Sequence, residues 1–186
     1  MKIFCISDTH FHHANIIKYC NRPFVSVEEM DRTMINNWNK VVTSDDIVLH
    51  LGDFAMTVYN HARAAEAIQA VAEQLNGKKI IIKGNHDHKQ IRYVDCGFVA
   101  EFYQRLDIGR YCFLHIPNDV PELSKKFRHI FYGHIHEKLL SPEYDAPNAS
   151  NMCVEWYNYT PRDITDFFNP EELMQLKMLV NVDSIK

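Results

Sequence analysis

The sequence has no excess of positive charge. Its 20 Lys and Arg stand against 24 Asp and Glu, a formal net charge of −4. No broad basic face advertises a nucleic acid or an anionic membrane, although such a net charge is compatible with a local basic or metal-bearing cleft. No stretch approaches the ~20 apolar residues of a transmembrane helix. The opening "MKIFCISD" meets a charge at Asp8 before a secretory apolar region forms. There is no CxxC pair among the five cysteines, Cys5, Cys20, Cys96, Cys112 and Cys153. Their odd number and spacing exclude a zinc cluster or a disulfide framework and fit reduced thiols in a cytoplasmic protein. Repeats, low-complexity tracts and linkers are missing too. What remains is one globular domain over residues 1–186, with an ordinary hydrophobic fraction of 46% and charged fraction of 24%.

What the chain has in quantity is histidine, 11 in all. Three of them, His10, His12 and His13, crowd the stretch "SDTHFHHAN" at 7–15. Histidine is a frequent metal ligand and general acid or base, so the positions of the others decide what this cluster is for.

Short apolar runs rich in Ile, Val and aromatics predict strands at 2–7, 46–51, 79–83, 110–116 and 129–132. Helical patterns lie between some of them. "SVEEMDRTMINNWN" opens on Ser26 with Glu29 three residues on, a capping-box signature, and aligns Val27, Met30, Met34 and Trp38 in one stripe. "HARAAEAIQAVAEQLNG" places Ala64, Ala65, Ile68, Val71, Ala72 and Leu75 on one face, with Gly77 as its stop. The alternation predicts right-handed βαβ units and a partly parallel sheet. The second half reads as more strand: a hairpin from 98 to 115 turning near Asp107-Ile108-Gly109, and a strand in "MCVEWYNY". Residues 141–151 read as a long loop. A last helix begins with Asn169 as cap and Pro170 at its first position.

The polar residues fall where the strands end. Asp8 and His10 follow the first run, Asp53 the second, Asn85, His86 and Asp87 the third, His115 the fourth, and His134 and His136 the fifth. The carboxyl edge of an open α/β sheet is where sites form. Asp8 and His10, like His134 and His136, are two apart, so in extended chain both members would point to one side. Gly52, Gly84 and Gly133 precede these residues and would allow close backbone approach. Carboxylates, imidazoles and one amide oxygen suit manganese, iron, zinc or nickel, whereas calcium wants nearly all oxygen.

The ordered set D-x-H, GD, GNHD, lone H and GHxH, spanning residues 8 to 136, resembles the calcineurin-like metallophosphoesterase superfamily. "SDTHFHHANII" and "HLGDF" look like a small, compact bacterial or phage-type subgroup. The resemblance implies an α/β fold of two mixed β-sheets packed as a sandwich flanked by helices. It implies two divalent metal ions, with manganese favoured. One would be held by Asp8, His10, Asp53 and His136, the other by Asp53, Asn85, His115 and His134, with Asp53 bridging. A hydroxide between the ions would attack a phosphomonoester or phosphodiester in line, and His86, unligated, would assist the leaving group. The Arg-Gly signature of protein phosphatases is absent from "GDFAMTVYN", which points to a small phosphorylated substrate. A nuclease and a non-catalytic module of the same fold are the rivals; the intact motif residues favour an enzyme.

The remaining residues carry smaller expectations. His13, at the start of the helical stretch "ANIIKYC", is expected to contact the substrate phosphate, and Arg22 in "NRPF" could reach it too. His12 is expected to be solvated, as are His88 and His129. His50 is expected in the core or behind a ligand, and His61 on the surface.

Overall fold

The structure, a computed structural model, describes residues 1–56 and 61–181, with the backbone alone at residue 61; the expected surface placement of His61 lies outside the described residues. Four apolar runs become β1 (Ile3–Ile6), β2 (Ile47–His50), β6 (Tyr111–Leu114) and β7 (His129–Tyr132), the first three buried along their whole length and β7 buried after His129. The fifth becomes β3 (Lys78–Ile82). Continuous burial is the mark of strands covered on both faces.

The strands form two sheets. One has the order β4-β3-β2-β1-β9, where β4 is Ala100–Phe102 and β9 is Arg162–Asp163. The other has the order β5-β6-β7-β8, where β5 is Arg105–Ile108 and β8 is Ala149–Asn151. β1, β2, β3 and β4 run parallel, with Ile6 opposite His50 and Leu49 opposite Ile80; β9 is antiparallel to β1. In the second sheet β6, β7 and β8 are parallel and β5 antiparallel. Both sheets are therefore mixed, as expected.

Alternation along the strands divides the core. Ile3, Cys5, Ile47, Leu49, Ile80 and Ile82 of the first sheet pack against Leu106, Tyr111, Phe113 and Phe131 of the second. Phe4, Ile6, Val48 and Ile81 point the other way, toward the helices. There α2 (Val27–Val41) presents Met30, Met34 and Trp38, and α3 (His61–Ala72) presents Ala64, Ile68 and Val71. Burying side chains of this size is worth about 1.5–3 kcal/mol each, which fixes the helices more firmly than local propensity does. Outside the second sheet, the short α4 (Val120–Leu123) covers Cys112, Leu114, Ile130 and Tyr132.

Caps follow the sequence in part. Ser26 Oγ accepts the Glu29 N–H at 3.2 Å, but the Glu29 carboxylate turns to the N–H of Val25, so the box is half made. α5 (Pro170–Val180) has the full box between Asn169 and Glu172. Gly77 has φ of 84°, but α3 ends earlier, at Ala72.

Two elements differ from expectation. The strand anticipated from 98 to 106 is cut at Tyr103-Gln104, and its halves, β4 and β5, join different sheets. "MCVEWYNY" is not a strand: Val154–Tyr157 is a 3-10 turn, and the strand is β8 just before it, inside the expected loop. The Val154 N–H is drawn to the Ser7 carbonyl at 3.1 Å while Trp156 bonds back to Cys153, which curls the chain.

A candidate metal centre at the carboxyl edge of both sheets

The parallel strands deliver their ends to one place. Beyond β1 and β2 the chains stay zipped: the N–H groups of Asp8, His10 and Phe11 donate to the carbonyls of Gly52, Asp53 and Phe54 at 3.0, 3.0 and 2.9 Å. Beyond β6 and β7 the Gly133 N–H donates to the His115 carbonyl at 3.0 Å. The two sheets meet here as well, since the Ser7 N–H donates to the carbonyl of Met152 at 2.8 Å.

The loops are not extended. Asp8, His10, Asp53, His134 and His136 all have φ between 52° and 77°, the left-handed region. Side chains other than glycine enter it at a cost of order 1 kcal/mol or more each. The expectation that Asp8 and His10, or His134 and His136, share a strand face is thus corrected. They converge because each chain coils tightly after its strand, not because it alternates. The glycines allow the loops to touch. A Cβ on Gly84 would lie 2.6 Å from Asp53 N, one on Gly52 would lie 2.7 Å from Gly84 Cα, and one on Gly133 would lie 2.6 Å from Asp8 Oδ2.

Two groups of ligand-type side chains result, each with its N and O atoms mutually within 4.8 Å: Asp8, His10 and His136, and Asp53, His115 and His134. Asp53 Oδ2 lies between them, 3.7 Å from His10 Nε2 and 3.3 Å from His115 Nε2. Asn85 Oδ1 is 2.9 Å from His115 Nε2. All seven sequence-predicted ligands are therefore gathered here. His86 is exposed beside them, its ring centroid 5.6 Å from that of His10, and its backbone N–H donates to Asp53 Oδ1 at 2.8 Å.

The electrostatics fit a cation. Asp8 Oδ1 and His10 Nε2 are buried and have no hydrogen-bond partner, an arrangement that costs free energy unless something charged satisfies it. Burial pushes the His10 imidazole down to about 2, so it is a neutral donor. Burial also acts to lower His115 and His136, but their hydrogen-bonding and charged partners win. Asp53 and Asp8 raise His115 to about 9; Cys20, Glu155 and Asp8 raise His136 to about 10. Asp53 is held well below the usual carboxylate range, since His115 and His10 outweigh its burial. The donors are imidazoles, carboxylates and an amide, which suits borderline first-row cations. A third cluster, Cys20, His136 and Glu155, has the right atom types, but Glu155 Oε1 is already paired with Arg22 Nη2 at 2.7 Å.

Several outer residues were not read from the sequence. Asp87 is buried and clamps two loops: Oδ2 accepts from the N–H groups of Asp53 and Gly84 at 2.8 Å each, and Oδ1 from Phe54 N and the Tyr93 hydroxyl at 2.9 and 2.8 Å. Glu155 Oε1 lies 3.1 Å from His136 Nδ1. Asp8 Oδ2 accepts from Ser7 Oγ, His134 N and Cys153 Sγ at 2.5, 2.8 and 3.2 Å. Of these, only Asp87 left a trace, as the last letter of GNHD.

Arg22, expected at the substrate phosphate, lies buried behind the first loop. Its guanidinium is 0% exposed, with Nη1 on the Thr9 carbonyl, Nη2 on the Asp8 carbonyl, and Nε and Nη2 on Glu155. It braces the first loop from behind. His12 is not simply solvated either: its Nδ1 is 2.9 Å from Asp31 Oδ2, and its backbone N–H meets the same carboxylate. His13 faces a cleft of about 230 Å³ with His10, His86 and His136, its Nδ1 3.2 Å from His10 Nδ1. His50 is fully buried, and its Nδ1 accepts the Gly52 N–H at 3.2 Å while Nε2 meets Thr9 Oγ1 at 3.0 Å. His129 is part-buried rather than solvated, bonded to Ser150 Oγ at 2.8 Å and packed on Phe131 and Phe167. His88 is likewise partly buried. The five cysteines are unbridged, and no helix among the described residues is long and apolar enough to cross a membrane.

Comparison with known proteins agrees with the fold. The chain is 41% identical over 165 residues to the uncharacterized protein MJ1445 of Methanocaldococcus jannaschii, covering 86% of this chain and 85% of that one. A crystal structure of a protein of unknown function, AQ665 from Aquifex aeolicus, superposes with a TM-score of 0.67 at 22% identity, over 89% of this chain and 97% of that one. A nuclease, MPE of Pseudomonas putida, aligns with a TM-score of 0.47 at 16% identity over 72% of this chain and 61% of its own, too loosely to bear on substrate. The family description calcineurin-like phosphoesterase matches residues 1–185. With that match, the chain belongs to the calcineurin-like phosphoesterase family.

Proposed function

We propose that the protein hydrolyses phosphoric esters at a centre of two divalent cations. The observation that carries this reading is Asp53 Oδ2, placed between two groups of ligand-type side chains within 3.7 Å of an imidazole from each. Asp8, His10, Asp53 and His136 would hold one ion, and Asp53, Asn85, His115 and His134 the other. When bound, such ions supply Lewis acidity toward phosphoryl oxygens and make water ionise near neutral pH. Manganese leads among the cations that the donor set suits.

The chain's own residues do the rest. The left-handed loops and glycine contacts hold the ligands before any ion arrives, which limits reorganisation on binding. Glu155 orients the His136 ring and keeps its Nε2 toward Asp8, 3.7 Å from Oδ1. Asp87 fixes the backbone of Asp53. His86, exposed at the rim and tethered through its N–H to Asp53, would deliver a proton to the departing oxygen. His13, on the same cleft, would contact a phosphoryl oxygen.

The test is a leaving-group series on metal-loaded protein. His86→Ala should retain its ions and lose roughly 10²–10⁴-fold in kcat on alkyl phosphates. The loss should shrink for nitrophenyl esters, whose leaving group needs no proton. Ester hydrolysis that survives complete chelation would overturn the reading of the centre.

A further inference from the structure

A second, larger cleft opens on the other ligand group. It has a volume of about 720 Å³ and is lined by Asn85 and His115 together with Lys83, Tyr103, Arg105 and Ile116. That volume is in the range of small-molecule sites, roughly 300–1,000 Å³.

Topology explains who lines it. The Lys83 N–H donates to the Phe102 carbonyl at 2.7 Å, so β3 and β4 end together and Tyr103 stands at the same edge as Gly84 and Asn85. Arg105 opens β5 opposite Leu114, the residue before His115. Cutting the expected long strand at Tyr103-Gln104 thus sets an aromatic ring and a guanidinium beside the candidate centre. Tyr103 is 64% exposed and Arg105 is 47% exposed at its side chain, so both are open to solvent at the cleft. The Lys83 ammonium sits 4.8 Å over one face of the Tyr103 ring and is held by the Ile91 carbonyl at 2.7 Å. A planar ligand in the cleft would stack on the face opposite Lys83. Arg105, 3.0 Å from Asp107 at the surface, offers its remaining N–H groups to an anion or a base edge.

We propose that this cleft seats a flat, nucleoside-like arm of a phosphodiester substrate, with Tyr103 as stacking platform and Arg105 as polar contact. The proposal rests on the reading of the centre as a phosphoesterase, and it makes the substrate a diester. In the reaction water adds across the ester bond. Its oxygen joins phosphorus, the bond from phosphorus to the leaving oxygen breaks, and one water proton ends on the departing group. A nucleoside 5′-nitrophenyl diester so yields the nucleoside monophosphate and nitrophenol.

The experiment compares two diesters with the same leaving group, thymidine 5′-(4-nitrophenyl) phosphate and methyl 4-nitrophenyl phosphate. Calorimetric binding of a thymidine phosphonate accompanies the kinetics. The wild-type protein should show a lower KM for the thymidine ester. Tyr103→Ala should raise that KM roughly tenfold more than the KM for the methyl ester, as loss of base stacking does, and weaken phosphonate binding in proportion. Tyr103→Phe should restore both. Hydrolysis of both esters with equal KM, or equal losses in Tyr103→Ala, overturns the cleft proposal and leaves the phosphoesterase reading standing. Phosphonate binding that depends on Tyr103 while neither ester is hydrolysed supports the cleft and overturns the phosphoesterase reading.

Discussion

The two ligand groups are built differently. Around Asp8, His10 and His136 the support is charge: a buried Arg22–Glu155 pair grips the His136 ring from behind and the Asp8 and Thr9 carbonyls from below. Around Asp53, His115 and His134 the support is backbone: Asp87 collects amides from Asp53, Phe54 and Gly84, and the Leu51 carbonyl takes His115 Nδ1 at 2.8 Å. The first group keeps two buried atoms without partners. The second closes on itself, through His115 to Asn85 and Asp53. An ion entering the first group fills a deficit, whereas an ion entering the second displaces an existing hydrogen bond. The first group should therefore bind its ion more tightly.

The largest effect should come from Asp53, whose carboxylate lies between the two groups. Asp53→Ala should drop metal content below two ions and bring hydrolysis to background, more than the roughly 100-fold that loss of an outer partner costs. Metal analysis beside a nitrophenyl ester assay checks it. If one ion stays at full affinity with full activity, the two groups do not share Asp53.

Next come the two supports, which should fail in different currencies. Asp87→Ala leaves several buried N–H groups without an acceptor and should cost roughly 3 kcal/mol of stability, seen in chemical denaturation of metal-free protein. Glu155→Gln keeps the shape and removes the charge. It should cost about 10–100-fold in affinity for one ion while the other is little changed, as competition with a chelator would show. Equal weakening of both ions in Glu155→Gln would erase the distinction between the groups.

Each group holds one imidazole with a raised pKa, about 9 for His115 and about 10 for His136. A ligand nitrogen must give up its proton, so apparent affinity should climb between about pH 6 and 9, roughly tenfold per unit for each proton displaced. Metal-free stability should run the opposite way. A folded pKa above the unfolded value of about 6.5 gives stabilisation that is complete below that value and lost as pH rises through the folded one. Calorimetric metal titrations and thermal melts across that window test the opposed slopes.

The smallest effect is a control far from either group. Asp46 accepts the Lys2 N–H at 2.6 Å and both the N–H and hydroxyl of Thr43 at 2.8 Å. Burial acts to raise it, but these donors hold it below its ordinary value. Its contribution is present above the unfolded pKa of about 3.9 and fades as pH falls through the lower folded value. Asp46→Asn should cost about 1 kcal/mol at neutral pH, with metal affinity unchanged.

The sequence made the strands legible because their apolar runs are buried on both faces, and it made the ligands legible because each follows such a run. β8 was hidden because Ala149–Asn151 carries little apolar signal; its register is set by pairing with β7. The aromatic run after it misled because Trp156 lies at the surface, 46% exposed. The coiling of the D-x-H and H-x-H loops left no periodic trace, since a left-handed residue does not announce itself unless it is glycine. Arg22 and Glu155, 133 residues apart, carry no local pattern at all.

That distance has a meaning for biosynthesis. A ribosome adds on the order of 5–20 residues each second, so Asp8 and His10 exist for roughly ten seconds before His134, His136 and Glu155 are made. During that interval neither ligand group is complete. The N-terminal sheet has β1, β2, β3 and β4 in hand early, but the carboxylate that braces Arg22 arrives only in the last fifth of the chain. Neither candidate group can close before His134 and His136 are made, and a nascent chain that stalls between His136 and Glu155 carries every candidate ligand without the carboxylate that braces Arg22.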